Sequence, residues 1–285
     1  MRWQGRRGSR NIEDRRGRGR GRARAGGGIG IVGILIILGV GYFFGIDVTP
    51  LLQDAGGGQV QEQNVELTEA DKRVGQFVSV TLADTEEIWG DVFRSQVGAT
   101  YKPAVLVLFK GVTASPCGSA SGATGPFYCP RDEKIYLDTN FFTTLERRMG
   151  AGGDFAAAYV VAHEVAHHVQ NELGILRQAN AIRAKVTQAE SNAISVRIEL
   201  QADCFSGLWA RRAEAAFGSL EPGDVEEAMR AARQIGDDTL QRNAGRVPQP
   251  HTFTHGTSEQ RQTWFARGYR TARIEDCDTF SADRL

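Results

Sequence analysis

Residues 155–173 read FAAAYVVAHEVAHHVQNEL, an apolar run that we interpret as a helix. Within it, His163 and His167 are four residues apart, so their imidazoles lie on one helix face and can bind a single metal ion. Glu164 is rotated away from that face but borders the metal position, where a carboxylate can accept a proton from bound water. This arrangement is the HExxH pattern of zinc-dependent hydrolases. The stretch therefore predicts a helix that binds zinc.

Two histidines leave such a site incomplete, because a catalytic zinc ion usually has three protein ligands. The spacing HExxHxxGxxH, which supplies a third histidine, is excluded because Gln170 and Leu173 stand at those positions. Further along, Glu199 and Asp203 are four residues apart among apolar neighbours that indicate a buried helix. Buried carboxylates require a cation or hydrogen-bond donors. We therefore expect Glu199 to be the third zinc ligand and Asp203 to accept a hydrogen bond from a ligating histidine.

The charge of the chain is divided unevenly. The 285 residues carry no formal net charge, but residues 1–25 contain ten Arg against Glu13 and Asp14, a net charge of about +8. The remaining residues carry a net charge of about −8. An Arg/Gly-rich segment cannot bury a core, so we expect residues 1–24 to form a disordered cytoplasmic tail. Such a tail is more typical of a membrane-topology signal than of RNA binding, and a nucleic-acid partner is not expected.

An apolar segment follows the basic tract. Residues 25–46 contain no charged side chain, and residues 29–46 read IGIVGILIILGVGYFFGI. A helix needs roughly 20 such residues to cross a bilayer, and no Ala-x-Ala site indicates a cleaved signal peptide. We therefore expect a single-pass protein of the cytoplasmic (inner) membrane, with an extracytoplasmic (periplasmic) domain. The expected segments are the tail at 1–24, a transmembrane helix at 25–46, a linker at 47–66 and the main domain at 67–285.

The four cysteines predict disulfide bonds, since an even number in an exported domain is typical of such bonds. Cys117 and Cys129 flank a loop rich in Gly, Ser and Pro, so this pair closes easily. Cys204 and Cys277 would then tie the C-terminal tail to the core. Four buried free thiols are the alternative, whereas a four-cysteine zinc site is disfavoured because no CxxC spacing occurs.

Helical patterns dominate the domain, and we expect an α+β, mainly helical fold with a small sheet of two or three strands. Apolar, β-rich runs predict strands at 105–109 and 134–138. The periodicity and the capping residues predict helices at 68–82, 84–96, 141–149, 154–173, 175–190, 192–217, 224–235 and 257–272.

Four segments resemble the bacterial putative neutral zinc metallopeptidase family, and they read PFYCPRDEKIYLD at 126–138, HEVAHHVQ at 163–170, ELQADCFSGLW at 199–209 and FTHGTSEQRQTWFARGY at 253–269. The pairing of HExxH with a later ExxxD also resembles the gluzincin peptidases. The resemblance implies a zincin-like catalytic domain, typically anchored by one N-terminal membrane helix. It further implies that His163, His167 and Glu199 bind zinc. Glu164 would be the general base, and Asp203 would orient a ligand.

These residues predict hydrolysis of peptide bonds in a peptide or protein substrate. Zinc lowers the pKa of bound water toward about 7, and Glu164 would pass the proton to the leaving amine. The oxyanion needs a further donor, for which His255, Tyr128 and Tyr159 are candidates. The strand at 134–138 is a candidate for binding an extended substrate. The alternative is a catalytically silent binding or scaffold protein with structural zinc, but such a site does not need the Glu164 base.

Overall fold

The computed structural model of the chain describes residues 1–17, 66–121 and 124–285. Within these ranges the fold is mainly helical with a small sheet, as the sequence patterns predict, but the main sheet has four strands instead of two or three, and a two-stranded hairpin accompanies it. The helices are α1 Glu69–Val92, α2 Asn140–Arg147, α3 Asp154–Glu172, α4 Ile175–Arg183, α5 Gln188–Phe217, α6 Asp224–Gln234, α7 Asp237–Asn243 and α8 Ser258–Thr271. The strands are β1 Ile12–Asp14, β2 Val105–Phe109, β3 Val112–Ser115, β4 Gly118–Ser121, β5 Phe127–Cys129 and β6 Lys134–Asp138.

The main sheet has the order β1-β2-β6-β5. Strands β1, β2 and β6 are parallel, and β5 runs antiparallel to β6 at one edge. The apolar runs of β2 and β6 lie at the centre, where Leu106 is opposite Ile135. The sheet is covered on both faces, because Leu106 and Ile135 belong to the main core with the helices, whereas Val107 and Tyr136 pack with Ala120 of the β3–β4 hairpin. Coverage on both faces explains why the central strands read as continuous apolar runs.

Helix α3, which carries the HExxH residues, is deeply enclosed in the core. No residue from 155 to 166 exposes more than 8% of its surface. Helix α5 packs against α3, and α8 packs along α5. The contact between α5 and α8 is very close, since a Cβ atom on Gly207 would lie 2.0 Å from the Phe265 carbonyl oxygen and one on Gly268 would lie 1.8 Å from the Cys204 carbonyl oxygen. Glycine at both positions therefore brings the two helices together.

One continuous helix replaces the two helices predicted at 68–82 and 84–96. Thr68 caps α1 as expected, but α1 continues to Val92 and then to a π-helical turn, Phe93–Val97. Asp84, which we interpreted as a cap, is instead 3% exposed and accepts a 2.6 Å hydrogen bond from Arg6. Its burial, against the opposing effect of Arg6, raises its pKa to about 6. A tertiary ion pair therefore explains the acidic residue at this position.

The first 17 residues are part of the folded domain. Strand β1 pairs with β2, with Glu13 opposite Val107. Met1 and Trp3 are 6% and 7% exposed in the main core, and the Trp3 ring packs edge-on against Phe77 at 5.5 Å. The expectation of a disordered tail over residues 1–24 is therefore wrong for residues 1–17, because apolar side chains and ion pairs dock this basic segment on the acidic remainder of the chain.

The single-pass membrane topology is also corrected. None of the helices in residues 1–17, 66–121 and 124–285 combines the length and the apolar character needed to span a bilayer. The predicted transmembrane helix at 25–46 and nearly all of the predicted linker lie outside the described residues. The segments on either side of them share one sheet, and the Arg16 guanidinium donates to the Asp71 carbonyl oxygen. A tail and a domain on opposite sides of the inner membrane could not make these contacts.

The disulfide prediction is confirmed for both pairs. Cys117 and Cys129 are joined at 2.07 Å, and Cys204 and Cys277 at 2.00 Å. The first bond links the turn of the β3–β4 hairpin to the end of β5. The second bond anchors the 3-10 turn Ile274–Cys277 to α5, one residue after Asp203.

If residues 1–17 are a core element, Trp3→Ala should destabilise the whole domain. Truncation of a buried tryptophan typically costs about 3–5 kcal/mol, and we expect a loss of this size in the free energy of unfolding measured by urea denaturation. Val247→Ala is the control, because Val247 is 81% exposed. Equal stabilities of the two variants would contradict the docking of the N-terminal segment.

Candidate metal centre

Three predicted ligands meet between α3 and α5. The Nε2 atom of His163 lies 3.0 Å from Oε2 of Glu199, and that of His167 lies 3.6 Å from Oε1 of Glu199. The two imidazole rings are perpendicular, with their centroids 4.9 Å apart. These side chains converge because the histidines are one turn apart on α3 and Glu199 faces them from the neighbouring helix.

The donor set fits zinc. Two imidazoles and one carboxylate are a ligand set of catalytic zinc sites, in which a water or substrate takes the fourth position. The candidate ligand atoms of His163, His167 and Glu199 all lie within 4.8 Å of one another. Donors that share a tetrahedral zinc ion are roughly 3.3 Å apart, given zinc–ligand distances of about 2.0–2.1 Å. The two separations from Glu199, 3.0 and 3.6 Å, are close to that value.

The electrostatics of the cluster also favour a cation at its centre. Burial lowers the pKa of His163, but the Asp203 and Glu199 carboxylates outweigh burial and raise that pKa to about 10. Burial raises the pKa of Glu199, but His167 and the other nearby histidines hold it well below its ordinary value. The carboxylates therefore stabilise positive charge between the rings, either as a proton or as a metal ion that displaces it.

Asp203 orients His163, and it is fully buried. Its Oδ1 atom lies 3.0 Å from Nδ1 of His163 and accepts a 2.5 Å hydrogen bond from the Tyr159 hydroxyl. Arg261 of α8 donates to both carboxylate oxygens, from Nε at 2.8 Å and from a terminal nitrogen at 3.0 Å. The carboxylate thus has the position expected from the sequence, next to the histidine ligand.

Arg261 is the main site residue that the sequence patterns did not single out. Its side chain is 2% exposed, and it pairs with Asp203 in the core. Burial raises the pKa of Asp203, but Arg261 outweighs burial and holds it at about 2. The arginine lies in the segment at 253–269 that resembles the family, but only the packing of α8 on α5 reveals its partner.

Glu164 borders a cavity of about 450 Å³. The carboxylate belongs to a residue that is 7% exposed, and burial raises its pKa, with the nearby histidines opposing the shift. Within the described part of the chain, no hydrogen bond holds this carboxylate. Residues from several elements line the cavity, including Phe127, Tyr128, His163, Glu164, His167, Leu176, Glu199, Leu240 and His255.

His255 faces the same cavity from the loop before α8, with its side chain 49% exposed. Asp237, the first residue of α7, organises this loop. Its Oδ2 atom accepts backbone N–H groups of Thr254, His255 and Gly256 at 2.7, 2.6 and 3.0 Å. Burial lowers the pKa of His255, but Glu199 and Asp237 outweigh burial and raise it. The role of Asp237 was not predicted, because the sequence patterns did not predict helix α7.

The other two candidates for an oxyanion donor have different roles. The Tyr159 hydroxyl donates to Asp203 in the core. The Tyr128 hydroxyl lies 3.2 Å from Nδ1 of His168, which is fully buried and not on the metal face. His255 is therefore the candidate whose polar group remains directed toward the cavity.

The strand predicted at 134–138 is present, but its predicted role in binding the substrate is wrong. It corresponds to β6, which lies between β2 and β5 and has hydrogen-bonding partners on both sides. The edge of the sheet at the cavity is β5, from which Phe127 and Tyr128 line the wall.

If Arg261 compensates the buried charge of Asp203, Arg261→Gln should leave that charge unpaired. Loss of one partner of a buried ion pair costs about 3–5 kcal/mol, so we expect a decrease of this size in the free energy of unfolding measured by denaturant titration. Arg267→Gln is the matched control on the same helix, because Arg267 is exposed. A loss below 1 kcal/mol, on the order of a surface ion pair, would contradict this account.

Comparisons with known proteins identify the family of the chain. The sequence profile of the putative neutral zinc metallopeptidase family matches residues 1–280. Uncharacterized protein YpfJ of Escherichia coli strain K12 is 44% identical over 287 residues, which cover 98% of this chain and 99% of that protein. Uncharacterized proteins Mb2605 of Mycobacterium bovis and Rv2575 of Mycobacterium tuberculosis are each 42% identical over 208 residues, which cover 67% of this chain and 69% of theirs. No solved structure matches the chain significantly. The chain therefore belongs to the putative neutral zinc metallopeptidase family, and the match includes its N-terminal segment.

Proposed function

We propose that this protein is a zinc-dependent peptidase in which His163, His167 and Glu199 bind the metal and Glu164 is the general base. The observation that carries the proposal is the Glu164 carboxylate, which is nearly buried beside the three ligands and borders the cavity. A site that binds zinc only for stability does not need a carboxylate at this position. Membership of the family supports the same reaction class.

Each residue has a distinct task in this reaction. When bound, zinc supplies a water molecule of lowered pKa and polarises the substrate carbonyl group. Glu164 accepts the proton of that water and passes it to the leaving amine. Asp203 keeps the His163 ring oriented throughout.

His255 is the proposed donor to the oxyanion. The imidazole is half exposed at the cavity, and Asp237 lies 3.5 Å from its Nδ1 atom. Asp237 helps to raise the pKa of His255, and a protonated ring donates from both nitrogens. A fixed cationic donor stabilises negative charge that develops on the substrate oxygen.

The substrate proposed is an extended peptide segment. Strand β5 is the sheet edge beside the cavity, so its outward backbone groups can bind a substrate strand by main-chain hydrogen bonds. The wall of the cavity carries large apolar side chains, among them Phe127, Leu176 and Leu240. This surface suits substrates with apolar side chains next to the cleaved bond.

The test compares zinc content and hydrolysis in the full-length protein. We expect wild type to bind one zinc ion and to cleave an unfolded protein or a peptide library. Glu164→Gln should retain zinc, since the residue is not a ligand, but should lose about 10²–10⁴-fold in rate with the general base. Glu199→Ala should lose zinc. Glu172→Gln on the same helix is the control and should keep both properties.

Two outcomes would contradict parts of this proposal. Normal zinc affinity in Glu199→Ala would show that Glu199 is not the third ligand. A zinc-loaded wild-type protein that cleaves no member of the library would favour the alternative, a catalytically silent binding or scaffold protein with structural zinc.

The role of His255 has a separate test. His255→Gln should lower kcat by about 10²–10³-fold, the usual effect of removing one oxyanion donor, with little change in KM. His251→Gln is the control, because His251 is exposed and does not line the cavity. Steady-state kinetics of both variants decide the question, and an unchanged kcat in His255→Gln would exclude this histidine as the donor.

A further inference from the structure

His167, the second proposed histidine ligand, has a neutral amide as its hydrogen-bonding partner, whereas His163 has a carboxylate. Nδ1 of His167 lies 2.9 Å from Oε1 of Gln170, one turn further along α3. Gln170 donates through Nε2 to the Ile198 carbonyl oxygen at 2.7 Å and to Oε1 of Gln201 at 3.0 Å. Gln201 donates in turn through Nε2 to the Cys277 carbonyl oxygen at 3.1 Å. Two side-chain amides thus connect a metal ligand to the C-terminal segment.

Backbone carbonyl groups determine how both amides are oriented. A carbonyl oxygen only accepts, so the Gln170 NH2 group must face Ile198 and the Gln201 NH2 group must face Cys277. The Oε1 atom of Gln170 then faces His167, and only an N–H group at Nδ1 is compatible with it. Nε2 of His167 faces Glu199 and the metal position, so it is the nitrogen that is available to a metal ion. The direction of the chain of hydrogen bonds therefore defines the tautomer of the ligand.

The two amides are well placed to hold this arrangement. Gln170 is fully buried and Gln201 is 4% exposed, so water does not compete for their hydrogen bonds. Ile198 immediately precedes Glu199, and Gln170 therefore joins the second histidine of α3 to the part of α5 that carries the third ligand. Cys277 is bonded to Cys204, which anchors the far end of the chain of hydrogen bonds to α5.

We propose that Gln170 and Gln201 are positioning residues that act as a two-amide relay, which holds His167 as the Nδ1–H tautomer with Nε2 free for metal. The inference rests on the proposed zinc site. The relay gives the two histidines different partners, since His163 donates to the Asp203 carboxylate and His167 to a neutral amide. The neutral amide orients its ring without adding a further buried negative charge beside the metal.

Zinc affinity distinguishes this role from a purely structural one, because buried amides need partners in any core. The full-length protein and its variants are titrated with zinc in competition with a chelator, and unfolding is measured in parallel. We expect Gln170→Met to bind zinc at least about tenfold more weakly and Gln201→Met about threefold more weakly, following the usual effect of partners to metal ligands. The double variant should be no weaker than Gln170→Met, since the relay passes through Gln170.

The matched control is Gln262→Met. Gln262 also donates its amide to a backbone carbonyl group, that of Met229 at 2.9 Å, but it has no contact with a metal ligand. This variant should lose stability without losing zinc affinity. In the zinc-loaded wild type and in Gln262→Met, we expect a proton signal for Nδ1–H of His167 that is protected from exchange with water, and we expect Gln170→Met to lose this protection.

The outcomes separate the relay from the proposed function. Zinc binding by wild type together with wild-type affinity in Gln170→Met overturns the relay and leaves the metal site standing. No zinc binding by wild type overturns the metal site itself. Should Gln170→Met fail to fold, Gln201→Met decides, because Gln201 does not contact a ligand, and unchanged affinity in that variant overturns the relay.

Discussion

The candidate metal centre and the helical core both depend on the hydrogen bonds that compensate the buried carboxylate of Asp203. A charge with no exposure to water must be compensated by donors, and here these come from Tyr159 and His163 on α3 and from Arg261 on α8. The same contacts therefore satisfy the charge, orient a proposed metal ligand and hold three helices together. Loss of the Tyr159, His163 or Arg261 contact would therefore leave the Asp203 charge less well compensated.

The close approach of α5 and α8 makes this compensation possible. Gly207 and Gly268 allow the two helix backbones to touch, and this contact delivers the Arg261 side chain to the buried end of Asp203. Glu199 is one turn away from Asp203 on α5, so one helix positions both the proposed ligand and the neighbouring ion pair. On the other side, Gln170 ties α3 to the backbone at Ile198. The positions of the candidate zinc-binding atoms thus follow from helix packing around the buried side chains of Asp203 and Gln170.

The N-terminal segment shows where composition misleads. Its Arg and Gly content is typical of a disordered tail, and an apolar segment of membrane-spanning length follows it in the sequence. In the structure, however, Trp3 packs in the core and Arg6 pairs with Asp84. The partners of Trp3 and Arg6 lie 74 and 78 positions further along the chain, so local composition could not reveal them. Local patterns were more reliable for β2 and β6, whose apolar runs are buried on both faces.

The sequence by itself identified the candidate metal ligands. Helical periodicity places His163 and His167 on one face of α3, and it places Glu199 and Asp203 on one face of α5. It also indicated the two cysteine pairs and the mainly helical character. Only the tertiary structure decided that Arg261 neutralises Asp203, that Asp237 organises the loop of His255, and that β5 forms the edge at the cavity. These contacts join segments far apart in the chain, and their partners are selected by packing rather than by spacing.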